Sequence, residues 1–231
     1  MGAQGGPSIV KNELIFLVDA ANPQSYKGSG TEWTDISGFY SSSSMTNSPT
    51  WNSGGYFEFD GTDTFLISTL NGYTDLTNVS IFSVFRTGAV SGYDSMCGFG
   101  EGLDESDSNS IGIWSSGNTF GLCTWNNDLY GVSGVVTPSS NDFYIGMFQL
   151  EYGSGFKTGF KMWINDDEQT PSQVRGTTLQ KNRSTVFNIG SCVVGLGDYW
   201  LGDIAYIAIY NGTMTTEKAM QNYNQLKDRF Q

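Results

Sequence analysis

The chain of 231 residues contains no histidine, and this absence removes several classes of functional site. Catalytic triads and dyads that use an imidazole base cannot be assembled, and neither can any zinc site with a His ligand. Cysteine is also scarce, with only Cys97, Cys123 and Cys192. Because three isolated cysteines do not make a disulfide framework, we expect buried free thiols.

Basic residues are few, and long apolar runs are absent. The chain has 11 Lys and Arg against 23 Asp and Glu, a net charge of -12. Since phosphate backbones are bound through Lys and Arg, the sequence predicts no nucleic-acid partner. No stretch of about 18 apolar residues exists, so we expect no membrane span. The start MGAQGGPSIVKN has neither a basic region nor an apolar stretch, which predicts no secretory signal and synthesis in a reducing cytoplasm.

Glycine and aromatic residues, in contrast, are abundant. There are 30 Gly, 15 Phe, 12 Tyr and 6 Trp, and short apolar segments such as LIFLVDA and VSIFSVF alternate with turn residues. This pattern is typical of an all-β sandwich, which commonly forms one unit of this length. Residues 1–13 are Gly-rich and cannot build a core. We therefore expect a flexible N-terminal arm over residues 1–13 and one domain over residues 14–231.

The C-terminal segment combines two periodicities. Residues 204–210, IAYIAIY, are nearly all apolar and lie between turn residues, which predicts a central strand packed on both faces. Beyond it, Thr215 is suited to cap a helix and Glu217 suits its first turn. The helix then carries an apolar stripe at three- and four-residue spacing, formed by Met220, Tyr223, Leu226 and Phe230.

Four stretches carry a family resemblance: LIFLVDAANPQSYKGSGTEWTDISG, YFEFDGTDTFLIS, GFKMWINDDEQ and GDIAYIAIYNGTMTTEKAMQNYNQLKDRF. They resemble laminin-G-like domains of the concanavalin A-like lectin and glucanase superfamily. More narrowly, they are similar to versions found in structural proteins of tailed bacteriophages, including cyanophages. The resemblance implies a concanavalin A-like jelly-roll β-sandwich of two antiparallel sheets with a C-terminal α-helix.

The same resemblance implies a function in the virion. The first hypothesis is a non-enzymatic structural protein, a decoration or accessory protein on the head, neck or tail, present in many copies or as a homo-oligomer beside other virion proteins. We expect attachment through the N-terminal arm, where Ile9 and Val10 offer a strand-like apolar patch. The alternative is a receptor-binding or glycan-adhesion module of a fibre, with host surface glycans as partners. The short stretch before the first predicted strand favours direct docking over a fibre.

No catalytic residues are predicted. Enzymes of this superfamily commonly carry carboxylates in a spacing such as Glu-x-Asp-x-Glu. The nearest approach here is Glu101, Asp104 and Glu105, in a different spacing and inside a polar loop. We therefore expect no enzyme activity.

Two kinds of binding site remain open. Aromatic rings near the ends of predicted loops could stack on sugars, although aromatics of a sandwich usually belong to its core; they are Trp114, Trp125, Tyr130, Tyr199 and Trp200. Asp60 with Asp63, or the acidic residues 166–168, could hold Ca²⁺. The alternative is that these acidic residues are simply turn formers.

Overall fold

The computed structural model describes residues 8–39, 41–71, 76–89, 92–100, 111–124, 128–154, 156–171, 173–174, 185–192 and 197–230. These residues form sixteen strands and two helices: β1 (Leu14–Asp19), β2 (Ser42–Thr46), β3 (Thr50–Asn52), β4 (Tyr56–Asp60), β5 (Phe65–Thr69), β6 (Asn78–Thr87), β7 (Tyr93–Phe99), β8 (Ile111–Ser116), β9 (Thr119–Thr124), β10 (Asp128–Ser133), β11 (Tyr144–Glu151), α1 (Phe156–Gly159), β12 (Phe160–Ile164), β13 (Asp167–Gln169), β14 (Gln173–Val174), β15 (Val186–Ile189), β16 (Leu201–Asn211) and α2 (Thr216–Phe230).

The strands form two sheets that face each other. Sheet A has the order β13-β12-β11-β6-β16-β4-β3, with β1 also paired to β16, and sheet B has the order β14-β10-β9-β8-β7-β15-β5-β2. Every ladder between these strands is antiparallel. The molecule is a jelly-roll β-sandwich with a C-terminal helix, which confirms the predicted fold class.

Strand β16 is the centre of sheet A. One edge pairs with β6, and the other pairs first with β4 and then with β1. A bulge at Ala205 adds one residue to the ladder with β6. Ala205 and Tyr206 therefore both lie on the outer face, while Ile204 and Ile207 face sheet B. Residues 204–210 are at most 2 % exposed, as predicted for a strand packed on both faces.

The main core lies between the two sheets and is rich in aromatic rings. Phe85 of β6 stacks on Phe120 of β9, with ring centroids 4.9 Å apart and ring planes 9° apart. Trp200, directly before β16, packs edge-on against both rings. Burial of each such side chain stabilises the fold by about 1.5–3 kcal/mol, so this aromatic group ties sheet A firmly to sheet B.

Helix α2 covers the outer face of sheet A and forms a second core with it. Its first turn is capped as predicted, since Thr215 Oγ1 accepts a hydrogen bond from the N–H of Lys218. Near its other end, the Arg229 guanidinium donates two 2.8 Å hydrogen bonds to the Asp19 carboxylate at the end of β1. No helix in the described part of the chain is long and apolar enough to cross a membrane.

The buried stripe of α2 differs from the predicted one. It consists of Ala219, Asn222 and Leu226. Because Asn222 is polar, the pattern of apolar residues predicts its neighbour Tyr223 as the buried residue instead. The remaining residues of the predicted stripe are half-buried: Tyr223 and Phe230 pack against the second core, and Met220 lies beside them in the helix.

Residues 8–13 pack on the domain and do not form a free arm. The N–H of Val10 donates a 2.8 Å hydrogen bond to Asn222 Oδ1, and its carbonyl accepts one of 3.1 Å from the Tyr210 hydroxyl. Val10 is 8 % exposed, and Ile9 packs against the same core. Ile9 and Val10 therefore contact their own domain, and their attachment to another protein stays a prediction. Residues 1–7 of the predicted arm lie outside the described residues.

The cysteines agree in part with the expectation of buried thiols. Cys97 is a buried free thiol. Cys192 is half-buried, with its Sγ 3.2 Å from Ser95 Oγ. The side chain of Cys123 lies outside the described part of the structure.

We predict that Asn222→Ala lowers the free energy of unfolding by about 2–3 kcal/mol, because it leaves the buried Val10 N–H and Tyr210 hydroxyl without their amide partner. Urea denaturation checks this prediction. The matched control is Asn224→Ala, which changes an exposed position of the same helix and should stay within about 0.5 kcal/mol of the wild type. Equal losses in the two variants would contradict a role for the buried network.

Candidate functional site

Several connections meet at one end of the sandwich, here called the loop end. It comprises the turn at residues 61–64, the start of β7 and the hairpin at residues 117–118. Three pairings place them together: Asp60 lies opposite Leu201, Gly202 opposite Thr87, and Tyr93 opposite Ser116. Loops that a rigid sheet positions are common places for binding residues.

The outer face of sheet B carries a group of aromatic rings at the loop end, of which Tyr93 is exposed. The Tyr93 ring is 52 % exposed and lies over Trp114, with centroids 5.3 Å apart. An isolated bridge between Ser95 and Tyr199 places Tyr199 on this same face, where its ring lies 5.8 Å from that of Phe65. We call Tyr93, Trp114, Tyr199 and Phe65 the aromatic platform. The exposed ring of Tyr93 is supported from below by the buried ring of Trp114.

The structure corrects the predicted sugar-binding aromatics. Trp114 is 1 % exposed and Trp200 is fully buried in the main core, so neither ring offers an open face to a ligand. Tyr199 is half-buried and belongs to the platform. Trp125 lies outside the described residues, and Tyr130 is described only by its backbone pairing in sheet B.

Sequence reasoning missed Tyr93, the most exposed member of the platform. The available signal was its position at the start of a strand, directly after a turn that contains glycine. Its exposure could not be read from this pattern, because the burial of a strand residue depends on what covers its face of the sheet.

Two carboxylates lie together on the inner side of the loop end. Asp94 pairs with Ser115, and Ser115 pairs in turn with Phe120 of the main core, so all three face sheet A. The Asp198 carbonyl accepts a 3.1 Å hydrogen bond from the N–H of Ser95. Asp198 therefore lies beside Asp94, and its negative charge acts on the Asp94 carboxyl group. We call these two side chains the carboxylate pair.

Both members of the carboxylate pair have a raised pKa and are therefore weaker acids than usual. Burial and, next, the negative charge of Asp198 raise the pKa of Asp94 to about 6, although the N–H of Leu201 donates to this carboxylate and opposes the change. Burial also raises the pKa of Asp198. Each shift means that the folded protein holds protons at this pair more tightly than the unfolded chain does.

The predicted calcium ligands Asp60 and Asp63 act as turn formers. Asp60 Oδ1 accepts hydrogen bonds from the N–H of Thr62 and from Thr64 Oγ1, both 2.9 Å long. Burial opposes a lower pKa at Asp60, but these hydrogen bonds and one from the Asp63 N–H lower it overall. Over the residues that the structure describes, no group of three or more Asp, Glu or Cys residues is arranged to hold a metal ion. Glu101, Asp104 and Glu105 lie outside this part.

A shallow recess lies between the loop end and the end of α2. Its volume is about 350 Å³. Beside it, the Arg86 guanidinium lies 4.9 Å from the ring centroids of both Tyr56 and Phe143 and forms an ion pair with Asp203. The recess is lined by Asn141, Asp142, Phe143, Tyr144, Asn165 and Phe230.

Comparison with solved structures supports the fold. The binding domain of botulinum neurotoxin serotype D matches with a TM-score of 0.63 and 10 % identity, over 94 % of this chain and 52 % of the toxin domain. A structure of botulinum neurotoxin type C, whose cell entry depends on two ganglioside molecules, matches with a TM-score of 0.65 and 13 % identity, over 94 % of this chain and 52 % of that chain. The chain shares their β-sandwich fold.

An enzyme shares this fold as well. Trypanosoma rangeli sialidase in complex with sialic acid matches with a TM-score of 0.64 and 12 % identity, over 97 % of this chain and 35 % of the sialidase. The chain thus spans about half of the toxin domains and about a third of the sialidase. At these identities the likeness shows the fold alone. No protein-family model and no curated protein matches the sequence.

We predict that Asp94→Asn stabilises the protein at pH 7.5 and not at pH 4.5. Since the pKa of Asp94 is higher in the folded state, its ionisation costs stability as the pH rises through about 6. The wild type should therefore lose stability relative to the variant between these two pH values. Urea denaturation in metal-free buffer checks this.

The matched control is Asp63→Asn, at an exposed turn position of the same loop end. It should follow the wild-type pH dependence. If the difference between wild type and Asp94→Asn is the same at both pH values, the burial of Asp94 does not control its ionisation.

Proposed function

We propose that this chain is a receptor-binding module that recognises glycans through the loop end. The observation that carries the proposal is the exposed Tyr93 ring supported by the buried Trp114. A sugar presents an apolar face of C–H groups that packs on such a ring, and a ring already held in place loses little conformational freedom on binding.

The surroundings of Tyr93 fit this role. Tyr199 adds a second ring to the same face of sheet B, and Ser116, directly opposite Tyr93, adds a half-buried hydroxyl. Hydroxyls of this kind can hydrogen-bond to sugar hydroxyls that an aromatic face leaves unsatisfied. Aromatic contact combined with a few polar groups is the usual composition of small-molecule sites.

The structural neighbours support binding over catalysis. One neighbour is botulinum neurotoxin type C, whose cell entry depends on two ganglioside molecules, and another is the binding domain of botulinum neurotoxin DC in complex with rat synaptotagmin II. The sialidase is an enzyme with the same fold, so the fold does not by itself distinguish binding from catalysis. We propose binding without turnover, since the chain has no His and its half-buried carboxylate pair faces the interior, away from Tyr93.

We further propose that the module acts on a bacteriophage particle, as the sequence resemblance implies. In that setting a glycan on the host surface is the partner, and the other virion structural proteins hold the module. A net charge of -12 would keep many neighbouring copies soluble. A decoration role without glycan binding is the competing hypothesis, and it is supported by the resemblance alone.

We predict that Tyr93→Ala weakens glycan binding about tenfold, which corresponds to roughly 1.4 kcal/mol of lost contact. A glycan array first identifies a ligand for the wild-type chain. Isothermal titration calorimetry then compares the dissociation constants, and product analysis of the same mixtures should show uncleaved glycan.

The matched control is Phe39→Ala. Phe39 is 44 % exposed and lies near β1, where Ser37 hydrogen-bonds to the carbonyl of Ile15. This variant should bind like the wild type. Absence of any array ligand, or equal affinity of Tyr93→Ala and wild type, would overturn the platform as the binding site.

A further inference from the structure

The shallow recess beside the end of α2 has no part in the proposed glycan binding. It borders the second core, on the outer face of sheet A. Tyr93 lies on the outer face of sheet B, over Trp114. The recess and the aromatic platform are therefore on opposite sides of the sandwich, and a ligand on one side leaves the other side open.

Two aromatic rings form apolar walls of the recess. Phe143 lies directly before β11 and Phe230 ends α2, and their ring centroids are 5.5 Å apart. Both rings are half-buried and pack against the second core, which holds them in place. The volume of about 350 Å³ is at the lower end of the range for ligand sites, which suits one side chain better than an extended ligand.

The same two rings already contact cations of this chain. The Arg86 guanidinium lies 4.9 Å from the ring centroid of Phe143, and the Arg229 guanidinium lies 4.6 Å from that of Phe230. Each guanidinium also has a carboxylate partner, Asp203 for Arg86 and Asp19 for Arg229. Because both positive charges are balanced within the chain, other residues set the charge of the recess.

A carboxylate of the lining is open to a partner. Asp142 is exposed, and its Oδ2 accepts a 3.1 Å hydrogen bond from the Ser140 hydroxyl. No Lys or Arg in the described part of the chain forms an ion pair with Asp142. The recess therefore combines two aromatic walls with an unbalanced negative charge.

The turn after β12 adds to this negative charge. Asn165 lines the recess, and the three acidic residues that follow it, 166–168, are all exposed. Burial and, next, the negative charge of Asp166 raise the pKa of Tyr223, so the charge of this turn acts on α2. Lys227 of α2 lies 5.6 Å from the ring centroid of Tyr223 and forms no ion pair with a described carboxylate.

We propose that this recess is a docking site for a lysine or arginine side chain on an exposed segment of a partner protein. The charged group of the partner lies against Phe143 and Phe230 and pairs with the Asp142 carboxylate. Aromatic faces attract cations, and a charge-assisted hydrogen bond to a carboxylate is among the stronger polar contacts. The net charge of -12 favours the approach of a basic partner.

Other occupants fit the recess less well. An anion would meet Asp142 and the acidic turn, while Arg86 and Arg229 are already paired. An apolar side chain would take the Asp142 carboxylate out of water without giving it a partner. The inference goes beyond glycan binding and does not depend on it. On a particle, it would give the module a face for attachment on the side opposite Tyr93.

The test measures binding of a fluorescein-labelled oligolysine peptide to the full chain by fluorescence anisotropy. An ionic strength of about 0.1 M limits the range of charge interactions to about 10 Å, so distant carboxylates contribute little. The matched probe is the same peptide with every lysine acetylated at Nζ, which removes the charge. The wild type should bind the charged peptide about tenfold more tightly than the acetylated one, or better.

Matched variants locate the binding. Asp142→Asn should weaken oligolysine binding about fivefold or more, whereas Asp63→Asn, which removes the same charge from an exposed turn elsewhere, should change it less than about twofold. Phe230→Ala should weaken it about fivefold, and Phe39→Ala should leave it unchanged. Since Asp142 is exposed, its variant tests the site without disturbing the fold; circular dichroism checks that Phe230→Ala is folded.

The outcomes separate the possibilities. Weaker binding in Asp142→Asn with full binding in Asp63→Asn supports the site. Equal losses in these two variants, or equal binding of the acetylated peptide, overturn it. A wild-type dimer in analytical ultracentrifugation that Asp142→Asn abolishes makes a second copy of the chain the occupant and overturns a basic partner. Tyr93→Ala should keep full peptide binding, so this site and the glycan site can fail separately.

Discussion

The burial of β16 on both faces is the constraint on which the rest of the structure depends. Ile204, Ile207 and Ile209 fill the space between the sheets, while Tyr206 and Tyr210 fill the space under α2. The strand is also hydrogen-bonded along both edges. A shift of one residue would exchange the two sets of side chains, so this strand has one register, and the register fixes the positions of β1, β4, β6 and α2 around it.

The same strand positions the loop end. Directly before and at its start, the Trp200 carbonyl accepts the N–H of Gly61, and the Leu201 carbonyl accepts that of Gly88. The adjacent Asp198 carbonyl accepts the N–H of Ser95. The segment from Asp198 to Leu201 thus holds the turn after β4, the end of β6 and the start of β7. The half-buried carboxylates of Asp94 and Asp198 are held there by a scaffold whose stability comes from the cores, and this stability offsets the cost of burying them.

The elements that the sequence predicted well are those whose signals are local. The apolar run at residues 204–210, the cap at Thr215 and the turn residues at Asp60 each owe their structure to neighbours within a few positions. The features that the sequence did not predict depend on contacts between distant parts of the chain. Val10 meets Asn222 across 212 positions, and neither residue carries a local signal for this hydrogen bond.

The sequence by itself determined the fold class, the central strand, the capped helix and the exclusion of His-based chemistry, because composition and periodicity are properties of consecutive residues. Only the tertiary structure decided which aromatics are exposed and which acids meet. Trp114 is covered while Tyr93 is open, and Asp94 lies beside Asp198 although about a hundred residues separate them. Exposure and charge pairing depend on the layer that covers each sheet face and on strand order, and neither is encoded in a short stretch of chain.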